Sequence, residues 1–177
     1  MKFGSVCSGI EAASVAWPKW ESAWFSEIEP FPCALLQYHY PTVPNLRDMT
    51  SSTFIERARE HGSIDVLVGG TPCQSFSVAG LRGGLDDDRG NLALQYCSIA
   101  QALQPTWLVW ENVPGVFSSA GGWDFAAVLS GLAKCGYHLA YRVLDAQYFG
   151  VPQRRRRVFV VGHLGDWQPA AAVLFEP

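Results

Sequence analysis

The chain has 177 residues, of which 49% are hydrophobic and 16% charged, a balance that excludes a disordered polypeptide and suits one folded domain. The formal net charge of −3 excludes a generally basic nucleic-acid binder, so any contact with a nucleic acid must be local. Five cysteines without a C-x-x-C pair argue against a disulfide framework, and no apolar run approaches the roughly 18 residues of a membrane span. A cytoplasmic protein without a membrane partner is therefore expected.

Apolar, strand-like segments alternate with helical ones along the whole chain. Strands are predicted at residues 2–7, 23–26, 45–50, 64–68, 106–110, 137–146 and 157–162. Helices are predicted between them, among others at 51–60 and 91–103, and Pro18 and Pro105 each follow a helix that they end. The alternation predicts an α/β fold with a doubly wound, mostly parallel sheet and helices on both faces.

The first two predicted strands end in residues that suit a nucleotide-like ligand. Ser8 and Gly9 form a turn into the first helix, whose free N–H groups attract carboxylate or phosphate. A full G-x-G-x-x-G pattern is missing, so a purely structural turn is the alternative. Glu27 ends the second strand about 20 residues later, where an acidic side chain suits the two hydroxyls of a ribose. A solvated charge at a helix start is the other interpretation of Glu27.

The most informative stretch follows the strand at 64–68. Gly69 and Gly70 turn the chain, and Pro72 stiffens the loop that holds Cys73 at the carboxyl end of the strand, where open α/β sheets place their ligands. A small buried hydrophobic residue is the ordinary role of a free cysteine. The polar, turn-rich setting instead favours a nucleophile.

Two further motifs lie beside strands. Glu111 follows the apolar strand at 106–110, and four arginines at 154–157 precede the strand at 158–161. A solvated basic run is the alternative for the arginines, although their alternation into a strand predicts that only some face inward.

Pro72-Cys73-Gln74, Glu111-Asn112-Val113 and Gln153-x-Arg155-x-Arg157, in this order and at fitting separations, resemble the signature motifs of the cytosine-5 DNA methyltransferases of prokaryotic or phage type. The resemblance implies a Rossmann-like fold and transfer of a methyl group from S-adenosylmethionine to carbon 5 of cytosine in duplex DNA, with the target base extruded. Cys73 would add to carbon 6 of the base, and Glu111 would supply a proton or a strong hydrogen bond to ring nitrogen 3. Arg155 would donate hydrogen bonds to the carbonyl oxygen of the base, and Arg157 would orient Cys73 or its loop.

The resemblance also assigns residues to the cofactor. Glu27 would hold the ribose, Ile28 would pack on the adenine, and Asp48 would accept from the adenine amino group or cap the helix at 51–60. The full assignment comprises Cys7, Ser8, Gly9, Ile10, Glu27, Ile28, Asp48, Met49, Pro72 and Leu92. The sequence departs from the family where Cys7 replaces the usual aromatic residue and where Glu11 and Ala12 replace glycines. Glu11 suits a helix start instead, because the helix dipole favours an acid there.

The resemblance covers the catalytic portion of a family member. Family members normally continue with a target-recognition domain and a last motif containing a glycine-asparagine pair, neither of which occurs here. We therefore expect residues 1–177 to form a single catalytic domain, with a separate chain as one source of target recognition. The alternatives are the related enzymes that act on transfer RNA and a non-catalytic protein of the same fold.

Overall fold

The computed structural model describes residues 1–72 and 92–175. In this part of the chain six strands form one sheet, in the order β2-β1-β3-β4-β6-β5. The strands are β1 (Lys2–Val6), β2 (Glu21–Ser26), β3 (Val66–Gly69), β4 (Trp107–Asn112), β5 (Tyr137–Asp145) and β6 (Arg156–Leu164). Strands β1 to β4 pair in parallel, and β6 lies antiparallel between β4 and β5. The predicted doubly wound, mostly parallel sheet is confirmed.

Six α-helices connect and cover these strands in the described residues. They are α1 (Ala12–Ala16), α2 (Pro30–His39), α3 (Phe54–Glu60), α4 (Leu92–Leu103), α5 (Trp123–Lys134) and α6 (Gln168–Leu174). Short 3-10 helices lie at Pro114–Phe117, Ser119–Gly122 and Ala146–Tyr148. Proline opens α2 and occupies the first turn of α6, positions at which its missing N–H costs nothing.

Alternation along the strands sends side chains to two different cores. Leu108 and Trp110 of β4 join a large cluster with residues of α3, α4 and α5. Trp107 and Val109 point the other way and pack against a smaller cluster to which α6 contributes. On that second face Trp17, which caps the C-terminus of α1, meets Phe3 edge to face at 5.6 Å between ring centroids. Helices thus lie on both faces of the sheet.

Three local predictions need correction. The strand predicted at 45–50 is a single β-bridge between Asn45 and Phe25, because the turn at Asp48 ends the pairing. The helix predicted at 51–60 begins at Phe54 with Thr53 as its N-cap residue, so Asp48 does not cap it. The tail after Asp166 contains α6, which was not predicted.

The pairing register brings distant segments to one edge of the sheet. Val6 pairs with Ser26 on one side and Gly69 on the other, and Gly69 pairs with Trp110. Because these four strands are parallel, the residues that follow them all emerge at the same edge. Antiparallel β6 begins at that edge, opposite the end of β4 at Asn112.

Candidate active site

A cavity of about 640 Å³ opens at this edge of the sheet. Its volume lies within the range of small-molecule sites. One end is built by the turn after β1 and by α1, and the other by the end of β4 and the start of β6. Six of the residues in its wall are Cys7, Ser8, Glu11, Glu111, Arg155 and Arg157.

Glu111 and two arginines form an ionic cluster in the wall. The Nε of Arg157 lies 2.9 Å from Oε1 of Glu111, and a terminal nitrogen of Arg155 lies 3.7 Å from the same oxygen. The side chain of Arg157 is 22% exposed and that of Arg155 is 49% exposed. Arg157 is therefore committed to the carboxylate, whereas Arg155 keeps donors available for a ligand.

Asp145, at the end of β5, fixes the backbone that carries Arg155. Its Oδ1 accepts from the N–H of Arg155 at 3.0 Å, and the N–H of Ala146 donates to the Arg155 carbonyl at 3.0 Å. Asp145 also accepts from Gln147. Asp145 belongs to none of the motifs that predict the site, although an aspartate at a strand end is a usual turn former.

The entry to the cysteine loop is tied to β4 by buried hydrogen bonds. Trp110 Nε1 donates to Oγ1 of Thr71, and Asn112 Nδ2 donates to the Thr71 carbonyl, each at 3.0 Å. A Cβ on Gly70 would lie 2.8 Å from Oε2 of Glu111, so the absence of a side chain there admits the carboxylate. Asn112 belongs to the motif Glu111-Asn112-Val113, but neither Asn112 nor Thr71 was assigned a role from the sequence, because the role depends on a contact between distant segments.

Two of the predicted site residues follow Thr71 in the sequence. Pro72 is exposed. Cys73 lies outside the described residues.

The turn after β1 is built from an unusual backbone. Cys7, Gly9 and Glu11 have φ values of 49°, 55° and 62°, in the left-handed region. Only glycine adopts that region without cost, so Cys7 and Glu11 are held there by their surroundings. Ser8 contributes by accepting from the N–H of Ser26 at 3.1 Å through its hydroxyl.

Glu27 joins the ends of β1 and β2. Its Oε2 accepts from the N–H of Gly9 at 2.8 Å, and its Oε1 accepts from those of Ile28 and Glu29 at 2.8 and 2.9 Å. Two carboxylate oxygens offer about four acceptor positions, so one remains for a hydroxyl. Glu27 is thus a buried, structurally engaged acid and not the solvated charge of the alternative interpretation.

The remaining predicted cofactor residues lie near the same strand ends and differ in how exposed they are. Ile10 and Ile28 are 65% and 61% exposed, which leaves apolar surface beside Glu27. Met49 is buried and Leu92 packs on the core. Asp48 accepts from the N–H and hydroxyl of Thr50, at 2.8 and 2.7 Å, and so stabilises a turn.

Glu11 is the least expected residue of the cavity wall. It is 1% exposed, its Oε1 accepts from the N–H of Ser14 at 3.2 Å, and its Oε2 has no hydrogen-bond partner among the described residues. S-adenosylmethionine carries an ammonium, a carboxylate, a ribose and an adenine. A cavity with an unsatisfied acid at one end and Glu27 beside exposed isoleucines nearby fits such a molecule.

Cys7 provides a direct test of the local environment. Burial, together with the charge of Glu27, raises the pKa of its thiol from 9.0 to about 11. Because only the thiolate reacts, alkylation of Cys7 by iodoacetamide at pH 8 is expected to be about a hundredfold slower in the native protein than in the denatured chain. Mass spectrometry of the Cys7 peptide after timed quenching measures both rates. Equal rates before and after denaturation would contradict this environment.

The model of the C-5 cytosine-specific DNA methylase family matches residues 1–175. The chain belongs to this family. The predicted resemblance is thereby confirmed, and the chain shares a Rossmann-like fold with solved relatives. It has a TM-score of 0.75 to a mutant of Spodoptera frugiperda DNMT2, at 20% identity over 94% of this chain and 51% of that one.

Two curated relatives are longer than this chain and align with it over only part of their own length. A protein of Escherichia phage P1 named DNA N-6-adenine-methyltransferase is 47% identical, with 98% of this chain and 30% of the relative aligned. The type II methyltransferase M.AquIA of Picosynechococcus is 35% identical, with 77% of this chain and 60% of the relative aligned. The methylase therefore spans less than two thirds of the length of either.

Within residues 1–72 and 92–175, no helix combines the length and apolar character needed to span a bilayer.

Proposed function

We propose that the methylase transfers a methyl group from S-adenosylmethionine to carbon 5 of cytosine in DNA through a covalent adduct with Cys73. The observation that carries the proposal is the convergence of Glu111, Arg155 and Arg157 on the cavity that the turn after β1 also lines. These are the carboxyl and guanidinium groups that a cytosine requires.

Cytosine needs activation, because its carbon 5 is a poor nucleophile. The thiolate of Cys73 forms a bond to carbon 6 while ring nitrogen 3 takes a proton that the Glu111 carboxylate, paired with Arg157, has accepted from water, which turns the ring into an enamine. The bound cofactor supplies an electrophilic methyl group. After carbon 5 has taken the methyl group, its proton leaves to water, the bond between sulfur and carbon 6 breaks, and nitrogen 3 returns its proton to Glu111.

The two arginines have different tasks in this scheme. Arg157 holds the Glu111 carboxylate in place through its Nε. Arg155 is half exposed and offers its planar donors to the carbonyl oxygen of the base. Together they define a pocket that selects a ring with a carbonyl next to a nitrogen that accepts a proton.

Carbon 5 is out of reach in a stacked duplex, so the target cytosine is extruded, at a cost of about a few kcal/mol. We propose that residues 1–177 act as one catalytic domain in the cytoplasm and that sequence recognition comes from another segment or a separate chain. The longer relatives support this division of labour. Cofactor contacts are assigned to Glu27, Ile28 and the turn at Cys7 to Ile10, with Asp48, Met49, Pro72 and Leu92 around the adenine.

A second activity needs testing because of the name of the phage P1 relative. Transfer to an exocyclic amine such as that of adenine requires no attack on the ring, so it would leave Cys73 without a task. The constellation of Cys73, Glu111 and Arg155 therefore supports cytosine.

Analysis of the reaction product decides between the two. The methylase is incubated with S-adenosylmethionine and either duplex DNA or transfer RNA, and the digested nucleosides are separated by mass spectrometry. We expect 5-methylcytosine in the DNA. N6-methyladenine, or modification of RNA alone, would overturn the proposal, and no product with either substrate would favour a non-catalytic role.

A further inference from the structure

Glu11 is the N-cap residue of α1 and also carries a buried charge that capping does not require. It stands in the left-handed turn before α1, with φ of 62°, where a glycine would be free of strain. Its carboxylate is buried and forms no ion pair in the described part of the chain. Burying an acid without a cation is costly, which calls for a partner that the described residues do not supply.

The two oxygens of Glu11 are unequal. Oε1 accepts from the N–H of Ser14, so one oxygen stabilises the start of α1. The hydroxyl of Ser14 pairs with that of Ser22 at 3.0 Å, and no donor reaches Oε2 with hydrogen-bond geometry. Burial raises the pKa of the carboxyl, and weaker hydrogen bonding from the hydroxyls of Ser5 and Ser14 and from the N–H of Ser14 lowers it by less. An asparagine or serine would cap the turn without this penalty, so capping alone does not explain a glutamate.

The positively charged side chains of the cavity wall lie far from Glu11, so Glu11 is free to bind a cation. The arginines in the wall, Arg155 and Arg157, both lie against Glu111 at the opposite end. Around Glu11 the wall is formed by Ala12, Ala13 and other residues of α1 and by Ser5, none of which carries a positive charge. The terminal torsion of a glutamate is soft, so a small rotation presents Oε2 to a bound group.

From these contacts we infer that Glu11 is the receptor for the α-ammonium group of the cofactor's methionyl part. The inference rests on the proposed function and goes beyond it, because it gives a binding role to a residue that stands where the family has glycine. An ammonium has three N–H donors and matches an acceptor that lacks one, whereas the cationic sulfur of the cofactor has no donor. The described residues contain no group of three or more acidic, histidine or cysteine side chains that would favour a metal ion instead.

The test uses three ligands and titration calorimetry on the whole chain. S-adenosylhomocysteine keeps the ammonium but lacks the positive sulfur, and its deamino analogue lacks the ammonium as well. The Glu11→Gln variant is expected to bind both S-adenosylmethionine and S-adenosylhomocysteine about 10- to 100-fold more weakly, since hydrogen bonds to charged groups are the stronger ones. The deamino analogue is expected to bind weakly to the native chain and equally weakly to the variant.

Controls separate this inference from folding and from the proposed function. Glu60→Gln, on the exposed end of α3, changes a charge far from the cavity and should leave all three affinities unchanged. Comparison of the ligands on native protein does not depend on the variant's fold. If S-adenosylhomocysteine binds the native chain and Glu11→Gln equally well, the role of Glu11 is refuted and the proposed function survives. A loss confined to S-adenosylmethionine would assign Glu11 to the sulfur, and no binding to the native chain would refute both.

Discussion

Replacement of Cys73 by alanine is expected to abolish methyl transfer while leaving binding of S-adenosylhomocysteine intact. Without a nucleophile at carbon 6 the ring does not become an enamine, and no other described cysteine in the wall replaces it, because the raised pKa of Cys7 keeps its thiol protonated. Duplex DNA carrying 5-fluorocytosine, incubated together with S-adenosylmethionine, makes the result direct, because elimination is blocked once the methyl group has been transferred. Carbon 5 then has no proton to lose, so the native chain remains bonded to the DNA and is retarded in a denaturing gel.

Cys135→Ala is a matched control for this experiment. Cys135 caps the C-terminus of α5 and packs on the main core, away from the cavity wall. The Cys135→Ala variant should methylate DNA and become bonded to the 5-fluorocytosine DNA like the native chain. A trapped adduct with Cys73→Ala would show that another group attacks the base and would exclude the proposed nucleophile.

The Glu111→Gln variant is expected to lose about a hundredfold to ten-thousandfold in the rate of methyl transfer, the usual contribution of a positioned acid or base. An amide has nearly the same shape but gives no carboxyl proton to ring nitrogen 3. It also removes the negative partner of Arg157, which now lies 2.9 Å from the carboxylate. Single-turnover kinetics with excess enzyme measures this loss without the contribution of product release.

Two further measurements show whether the lower rate of the Glu111→Gln variant comes from lost proton transfer or from weaker cofactor binding. Affinity for S-adenosylhomocysteine should stay within about threefold of the native value, since Glu111 contacts the base and not the cofactor in this scheme. Trapping on 5-fluorocytosine should slow in parallel with methylation, because the proton is needed when sulfur attacks. A variant that methylates at the native rate would remove Glu111 from the mechanism.

The candidate site shows how far local sequence carries. Short apolar strands followed by turn residues correctly predicted that Glu27 and Glu111 lie at the ends of strands, because strand formation and chain turning depend on neighbouring residues. The same prediction for Cys73 concerns a residue outside the described part of the chain. The meeting of Glu111 with Arg155 and Arg157 was expected only through the resemblance. Its distances depend on antiparallel β6 lying beside β4, which no local pattern encodes.

Other residues were beyond sequence reasoning for the same reason. Asn112 matters because its amide reaches the carbonyl of Thr71 in the loop after β3, and Asp145 matters because it holds the backbone of Arg155 ten residues on. The predicted strand at 45–50 failed because Asp48 bonds to Thr50 and turns the chain. In each case one to three side-chain hydrogen bonds set the local structure, and their partners were set by tertiary position or by local competition with strand pairing.

By itself the sequence determined the alternating α/β architecture, the family and the chemical types of the groups at the strand ends, since all of these follow from short-range periodicity and from motifs of a few residues. Only the tertiary structure decided that β6 inserts antiparallel between β4 and β5, that Glu27 is engaged by three backbone N–H groups, and that Glu11 is buried with one oxygen unsatisfied. Burial and strand pairing depend on segments far apart in the chain. The sequence alone therefore does not reveal that Glu11 places an unpaired carboxylate oxygen in the wall of this cavity.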